Sequence, residues 1–294
     1  MILLLWVNEL SKKHTLLILL VMFFLGSAYP TGKLGINVSV PPILFGALRM
    51  GIVFLCLYPF CKIILPNKKY ILPLLGFSFS MGVCVNLFLY LSVNASSIMS
   101  PLVIGAQLSI PIGIILSSVF IGESINYKKW ILIFTSLLGI LLIGFDPKIA
   151  DEILGFLLIC SMAFFYALSQ VFSRHLKELD VKFTNAFMGL VGCIVLLVLS
   201  VFLEGNTVFH LKNLNIDAWL MALHHGVLCS LMGHMSMFYL YKFYPVGQVL
   251  PFYALFPIFG IILSFIIFGE IPTFLVVIGG IIVITSVFLL QKTR

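Results

Sequence analysis

The chain has 294 residues, of which 62% are hydrophobic and only 9% charged, and its mean hydropathy is +1.20. A soluble domain carries about 25% charged residues because its surface must face water, so this composition excludes a soluble fold and implies an all-α polytopic membrane protein. The net charge of +7 would suit nucleic acid only if it formed a stripe on a polar surface, but the basic residues sit between apolar segments, so the expected partner is the lipid bilayer and not nucleic acid.

Crossing a bilayer takes roughly 17 to 25 apolar residues. Ten segments meet that need: 15–32, 42–65, 70–93, 97–121, 129–146, 153–174, 183–203, 217–241, 247–268 and 273–290. Ahead of the first stand Lys12, Lys13 and His14, and the small residues Gly26-Ser27-Ala28 give it the look of a signal peptide. Cleavage there would remove one segment of ten and break the symmetry developed below, so the segment is expected to stay.

The second segment holds Arg49, seven residues in from Pro42. At 1.5 Å per residue that is about 10 Å deep, where a guanidinium costs about 2.5 to 3.5 kcal/mol on insertion scales. Every carboxylate lies at a segment end or in a loop. The partners left for Arg49 are backbone carbonyls at a helix break, water, or an anionic group on a substrate, and its planar fork suits a carboxylate.

In the third segment Gly82, Asn86, Tyr90 and Asn94 recur every four residues, and in the sixth Tyr166, Gln170 and Ser173 make a second polar stripe. Such stripes face either a cavity or a neighbouring helix. Gln107 in the fourth segment and Tyr253 in the ninth complete the polar candidates. Lys33 and Arg174, preceded by Phe23-Phe24 and Phe164-Phe165, stand either as cationic vestibules or as side chains snorkelling to the interface. The eighth segment carries the small face Gly226, Ser230, Gly233 and three histidines, His224, His225 and His234. His234, nearest mid-membrane, is the candidate should transport couple to protons; packing is the alternative. Pro101 and Pro111 in the fourth segment and Pro251 and Pro257 in the ninth each remove a backbone bond, which marks them as gating hinges or as ordinary helix packing.

The fourth and ninth segments also share a string. Gly113-Ile114-Ile115-Leu116-Ser117, followed by Gly122-Glu123, returns as Gly260-Ile261-Ile262-Leu263-Ser264 with Gly269-Glu270, 147 residues later. A repeat of half the chain predicts a duplication, with one five-helix unit over 1–147 and a second over 148–294. Five crossings per unit are odd, so the second unit enters from the opposite face and the two are inverted repeats. Glu123 and Glu270 each follow a glycine at a helix end, where a carboxylate can bond free amides at the start of the next helix; both are read as structural.

Lys and Arg set the orientation. With the amino terminus inside, Lys12, Lys13, Lys62, Lys68, Lys69, Lys128, Lys129, Arg174, Lys177, Lys182, Lys242, Lys292 and Arg294 are cytoplasmic, against Lys33, Lys148 and Lys212 outside. Thirteen against three places both termini in the cytoplasm. The six cysteines lack metal or redox spacing. No phosphate loop, paired-carboxylate site, metal cluster or nucleophile elbow is present, so neither an enzyme, a catalytic residue, a metal nor a cofactor is expected.

Ten segments in two halves, Leu48-Arg49, Ala106-Gln107, the Gly122-Glu123 and Gly269-Glu270 helix ends, and Pro251, Pro257 and Gly260 together resemble the EamA family of the drug/metabolite transporter superfamily, over essentially the whole chain. The resemblance looks closest to the branch exporting amino acids and their derivatives. It implies a secondary transporter of the bacterial inner (plasma) membrane with a central cavity; the chain, as a monomer or homodimer, is then expected to work by alternating access on a small-molecule substrate held by the polar candidates Arg49, Asn86, Tyr90, Gln107, Tyr166, Gln170, His234 and Tyr253. The alternatives are an importer of a nucleotide-derived metabolite and a non-transporting membrane scaffold, and a solvent-accessible polar cavity discriminates against the scaffold.

Overall fold

The computed structural model describes residues 11–38, 40–61, 66–122, 124–240, 243–244 and 249–292. Among the described residues every regular element is helical. The main helices are α1 (Lys12–Asn37), α2 (Pro42–Leu57), α3 (Lys68–Asn94), α4 (Ser100–Ile121), α5 (Tyr127–Gly144), α6 (Ile153–Arg174), α7 (Val181–Leu203), α8 (216–240), α9 (Phe252–Phe268) and α10 (Phe274–Lys292). Eight of them are long and apolar enough to cross a membrane, whereas Ile216–Met232 and Phe252–Phe268 are shorter apolar helices. Phe145, Phe202 and Phe274 stand outward at 77%, 81% and 77% exposure, a surface that only lipid would cover favourably.

Local chemistry sets the ends. Ser11, Asn126, Asp180 and Asn215 cap α1, α5, α7 and α8 by accepting amide hydrogens from their first turns. The Ser11 cap starts α1 earlier than position 15, and the helix then runs to Asn37 with Pro30 inside it. The second helix stops well short of position 65, because Tyr58-Pro59-Phe60 tightens into a 3₁₀ turn and a proline disfavours helix in the residue before it.

The irregularities of the first half recur in the second. A π-helical stretch in α3, Ser78–Cys84, returns in α8 as His224–Met232, 146 residues on. The 3₁₀ segment Ala106–Leu108 precedes a thirteen-residue helix in α4, and Leu250–Leu255 precedes another in α9. Those two helices start 147 residues apart and end on Gly122 and Gly269, both left-handed at φ 77° and 66°, which a side chain would strain.

The halves pack into each other, not side by side. α2 lies antiparallel to α7: a Cβ on Gly189 would meet the backbone of Phe54, while Glu204 at the other end of α7 bonds the amides of Ile43 and Leu44. α5 lies antiparallel to α10, with Gly139 against Gly279 and Asp146 bonded to Thr273. α1 packs on α8 and α9, and α6 on α3 and α4. Close approach requires small residues, as where a Cβ on Gly26 would lie 2.5 Å from the carbonyl oxygen of Phe256.

Candidate functional site

Arg49 is only 8% exposed and its guanidinium is held by two hydroxyls. Nε donates to Ser230 Oγ at 2.9 Å and Nη1 to Tyr90 Oη at 3.2 Å. The partners are therefore side chains of α8 and α3, and the reading of Arg49 as tied to carbonyls at a helix break does not hold. Neutral hydroxyls leave the positive charge uncompensated, because among the described residues no carboxylate reaches it.

Hydrogen counting gives the network a direction. Thr31 Oγ1 spends its one hydrogen on the Ser27 carbonyl at 2.6 Å, so at its 2.9 Å contact with His225 Nε2 it must accept. In the neutral ring His225 Nδ1 is then unprotonated and accepts from Tyr90 Oη at 2.8 Å, which leaves the Tyr90 oxygen to accept from Arg49. Phe45 packs edge-on against both Tyr90 and His225 and keeps water from the relay. His225 and Ser230 owe their placement to the π-helical stretch of α8, where Ser230 Oγ donates to the His225 carbonyl five residues back. In α3 the matching stretch offers its carbonyls of Met81 and Gly82 to Asn86 Nδ2, at 3.0 and 3.1 Å. Each wide turn lacks one helical bond and leaves a carbonyl for a side chain to take.

Beside Arg49 a cavity of about 100 Å³ opens, room for several water molecules. Arg49, Met50, Phe77, Asn86, Met188 and Ser230 are its buried lining, Met81 is half-buried, and exposed Gln170 and Lys182, with half-buried Ser173 and Asn185 beside them, mark its mouth. Its charged lining is two cations and no anion.

Four of the residues predicted to bind substrate thus meet: Arg49, Asn86 and Gln170 on the cavity wall, and Tyr90 just behind it. Others do not join them. Gln107 sits at the α4–α9 crossing, where Nε2 donates to the Tyr253 carbonyl at 3.2 Å, so Tyr253 contributes backbone there; Tyr166 packs against the main apolar core. The His234 side chain lies outside the described residues, as do Glu123 and the side chain of Pro251. His225 and Thr31 were not singled out; the His224-His225 pair next to Gly226 and five residues before Ser230 was the signal in the sequence.

The prolines are not mid-helix kinks. Pro101 stands second in α4 and Pro251 second in the 3₁₀ segment Leu250–Leu255, both in a first turn where no helical bond is lost. Pro111 and Pro257 follow the two 3₁₀ segments, so the break lies just before each ring. Lys33 lines an open pocket with Asn37, Asn94 and Ser97, and its Nζ donates to the carbonyls of Val93 and Ser96 at 3.0 and 2.6 Å, which closes the end of α3.

The far end of the molecule from the cavity mouth is bolted by carboxylates. Glu270 takes the amides of Met99 and Ser100 at 2.7 and 2.8 Å together with the Ser100 hydroxyl, so its partner is the start of α4 and not the next helix. Glu204 takes the first amides of α2 at 2.6 and 3.0 Å, Glu152 holds Ser97, and Asp146 holds Thr273. Each of these bonds joins separate segments of the fold.

Comparison with known proteins follows this geometry. The description "EamA-like transporter family" matches residues 12–145 and again residues 153–291. A probable amino-acid metabolite efflux pump of Escherichia coli (strain K12) is 23% identical over 290 residues, covering 95% of each chain. The uncharacterized transporter YdfC of Bacillus subtilis (strain 168) is 26% identical over 271 residues, 89% of this chain and 85% of that one. A solved structure described only as a protein crystal structure aligns with a TM-score of 0.60 at 13% identity, over 95% of this chain and 96% of that one, and so shares the fold alone.

Proposed function

The chain belongs to the EamA-like transporter family, and on that premise we propose that it is a secondary transporter of the bacterial inner membrane. It exports a small organic metabolite, an amino acid or derivative, by alternating access. The observation that carries this reading is the buried, uncompensated Arg49 at the head of a cavity whose charged lining is entirely cationic. Such a site favours a carboxylate and repels cations, and fixed hydroxyl partners aim the fork without neutralising it. An open cavity that places Arg49, Asn86, Gln170 and Ser173 on a mostly apolar wall speaks against a scaffold, which would fill its core. The E. coli relative's description as an efflux pump for amino-acid metabolites supports the export direction.

The same reading takes all ten main helices as spans, arranged as inverted repeats over 1–147 and 148–294. Its supports are the matching irregularities at an offset of 146 or 147 and the antiparallel packing of α2 on α7 and of α5 on α10. With both termini cytoplasmic, Lys182 marks the inner mouth and the Glu270 end faces outward, so the described state opens inward. Gln107, Tyr166 and Tyr253 then belong to the path between the halves, and the 3₁₀ breaks before Pro111 and Pro257 are its hinges.

The test is uptake and efflux of a panel of amino acids and their derivatives in proteoliposomes, with Arg49→Ala alongside. Carboxylate-bearing metabolites should move with the wild type and not with the variant. Movement of organic cations instead, or of no metabolite, overturns the proposal.

A further inference from the structure

The cavity beside Arg49 contains a second fixed group, and we infer that Asn86 reads the ammonium of a zwitterionic substrate whose carboxylate Arg49 holds. This rests on the reading of that cavity as the substrate site. Asn86 is 2% exposed and forms part of the cavity wall. Its orientation is fixed, because Nδ2 donates to the carbonyls of Met81 and Gly82, and turning the amide over would set its oxygen against both. The carbonyl oxygen Oδ1 is then buried with no hydrogen-bond partner. A buried acceptor without a donor is costly and calls for a partner, and of the five such atoms among the described residues Asn86 Oδ1 is the one whose residue lines the Arg49 cavity.

The placement fits a small zwitterion. Asn86 stands one turn before Tyr90, whose hydroxyl meets Arg49, and its Cβ lies 3.6 Å from where a Cβ on Gly46 would sit, one turn before Arg49 on α2. Arg49 and Asn86 thus line the same cavity from facing helices, and adjacent carboxylate and ammonium groups of one small ligand address both with one hydrogen bond each. The Nε hydrogen and one Nη1 hydrogen of Arg49 are committed to Ser230 and Tyr90, which leaves the second Nη1 hydrogen and both on Nη2 for the incoming carboxylate. The cavity's other amide oxygens, on Gln170 and Asn185, stand at its more exposed mouth. Met50, Met81 and Met188 on the wall adapt to varied side chains, so recognition falls on the zwitterionic head.

Calorimetric binding of L-leucine and of 4-methylpentanoate, the same carboxylate without the amine, to the full chain in lipid nanodiscs tests this. The wild type should bind leucine about tenfold more tightly. Asn86→Ala should bring leucine down to the affinity of 4-methylpentanoate and leave the latter unchanged. Asn86→Asp, which sacrifices the same two donated bonds but keeps an acceptor, should retain the preference, and so separates recognition from folding. Equal binding of the two probes by the wild type, or an undiminished preference in Asn86→Ala, overturns the role of Asn86 alone. Failure of both probes to bind the wild type, or unaltered binding of both by Arg49→Ala, overturns the cavity reading and this inference with it.

Discussion

The two ends of the bundle are held by different chemistry. At one end Asp146, Glu152, Glu204 and Glu270 bond to segments far from them in sequence, and two of these carboxylates close helix N-termini whose amides would otherwise lack acceptors. At the other end the cavity opens between α3, α6 and α7, where an exposed cluster of Lys69, Tyr70 and Glu178 joins the start of α3 to the loop after α6. Charge-assisted bonds to helix amides are strong, and those of Glu204 and Glu270 are part-buried, whereas exposed ion pairs contribute about 0 to 1 kcal/mol. On the proposed reading the bolted end is the closed one, since opening it would break several of these bonds, whereas the Lys182 end holds only the exposed cluster.

The largest expected effect falls between the ends. Arg49→Ala should lower transport by about 100-fold or more, the worth of one charge-assisted pair, and Arg49→Lys should restore little because the fork is lost. Initial rates in proteoliposomes measure both. Next comes the bolt itself. Glu270→Gln keeps the shape and one acceptor but loses the charge at the start of α4, and should shift the closed end toward opening by about tenfold, read as faster thiol labelling of Met99→Cys. Tyr90→Phe should cost less, about fivefold in transport, since Ser230 still holds Arg49 while His225 Nδ1 loses its donor.

The smallest effect belongs to the exposed cluster. The Tyr70 hydroxyl, and after it the Lys69 ammonium, hold the Glu178 carboxyl below the usual carboxylate range. A depressed carboxylate contributes its contact above the unfolded pKa and loses it as pH falls through the folded one. Cross-linking of α3 to the α6–α7 loop should therefore be flat around neutrality and weaken only under acid, and Glu178→Gln should leave transport unchanged.

How much of this was legible in the sequence varies by kind of interaction. Helix positions followed from runs of apolar residues, and the repeat followed from one string, since the left-handed glycine ends of α4 and α9 leave Gly-Glu in both copies. Arg49, Asn86, Tyr90 and Gln170 were found because a polar stripe in an apolar helix has few places to go. The π-helical stretches were hidden: Ser78–Cys84 and His224–Met232 carry polar residues, but nothing in their order marks a wider turn, and it is that turn which orients Asn86, His225 and Ser230. The carboxylate bolts were also unreadable, because Glu270 pairs with Ser100 and Glu204 with Ile43 across most of the chain, and periodicity carries no such long-range information. Gln107, Tyr166 and Tyr253 have the right residue types, and only packing reveals that they stand away from the Arg49 cavity.

The central claim is that substrate exchanges which end is closed. With the six native cysteines replaced, Asn185→Cys at the cavity mouth and Met99→Cys, buried at 0% exposure beside the Glu270 bonds, report the two ends. Impermeant thiol reagents should label Asn185→Cys readily and Met99→Cys slowly without substrate, and a transported substrate should slow the first and speed the second. Parallel changes at both positions, or no change at either, would contradict alternating access in this protein.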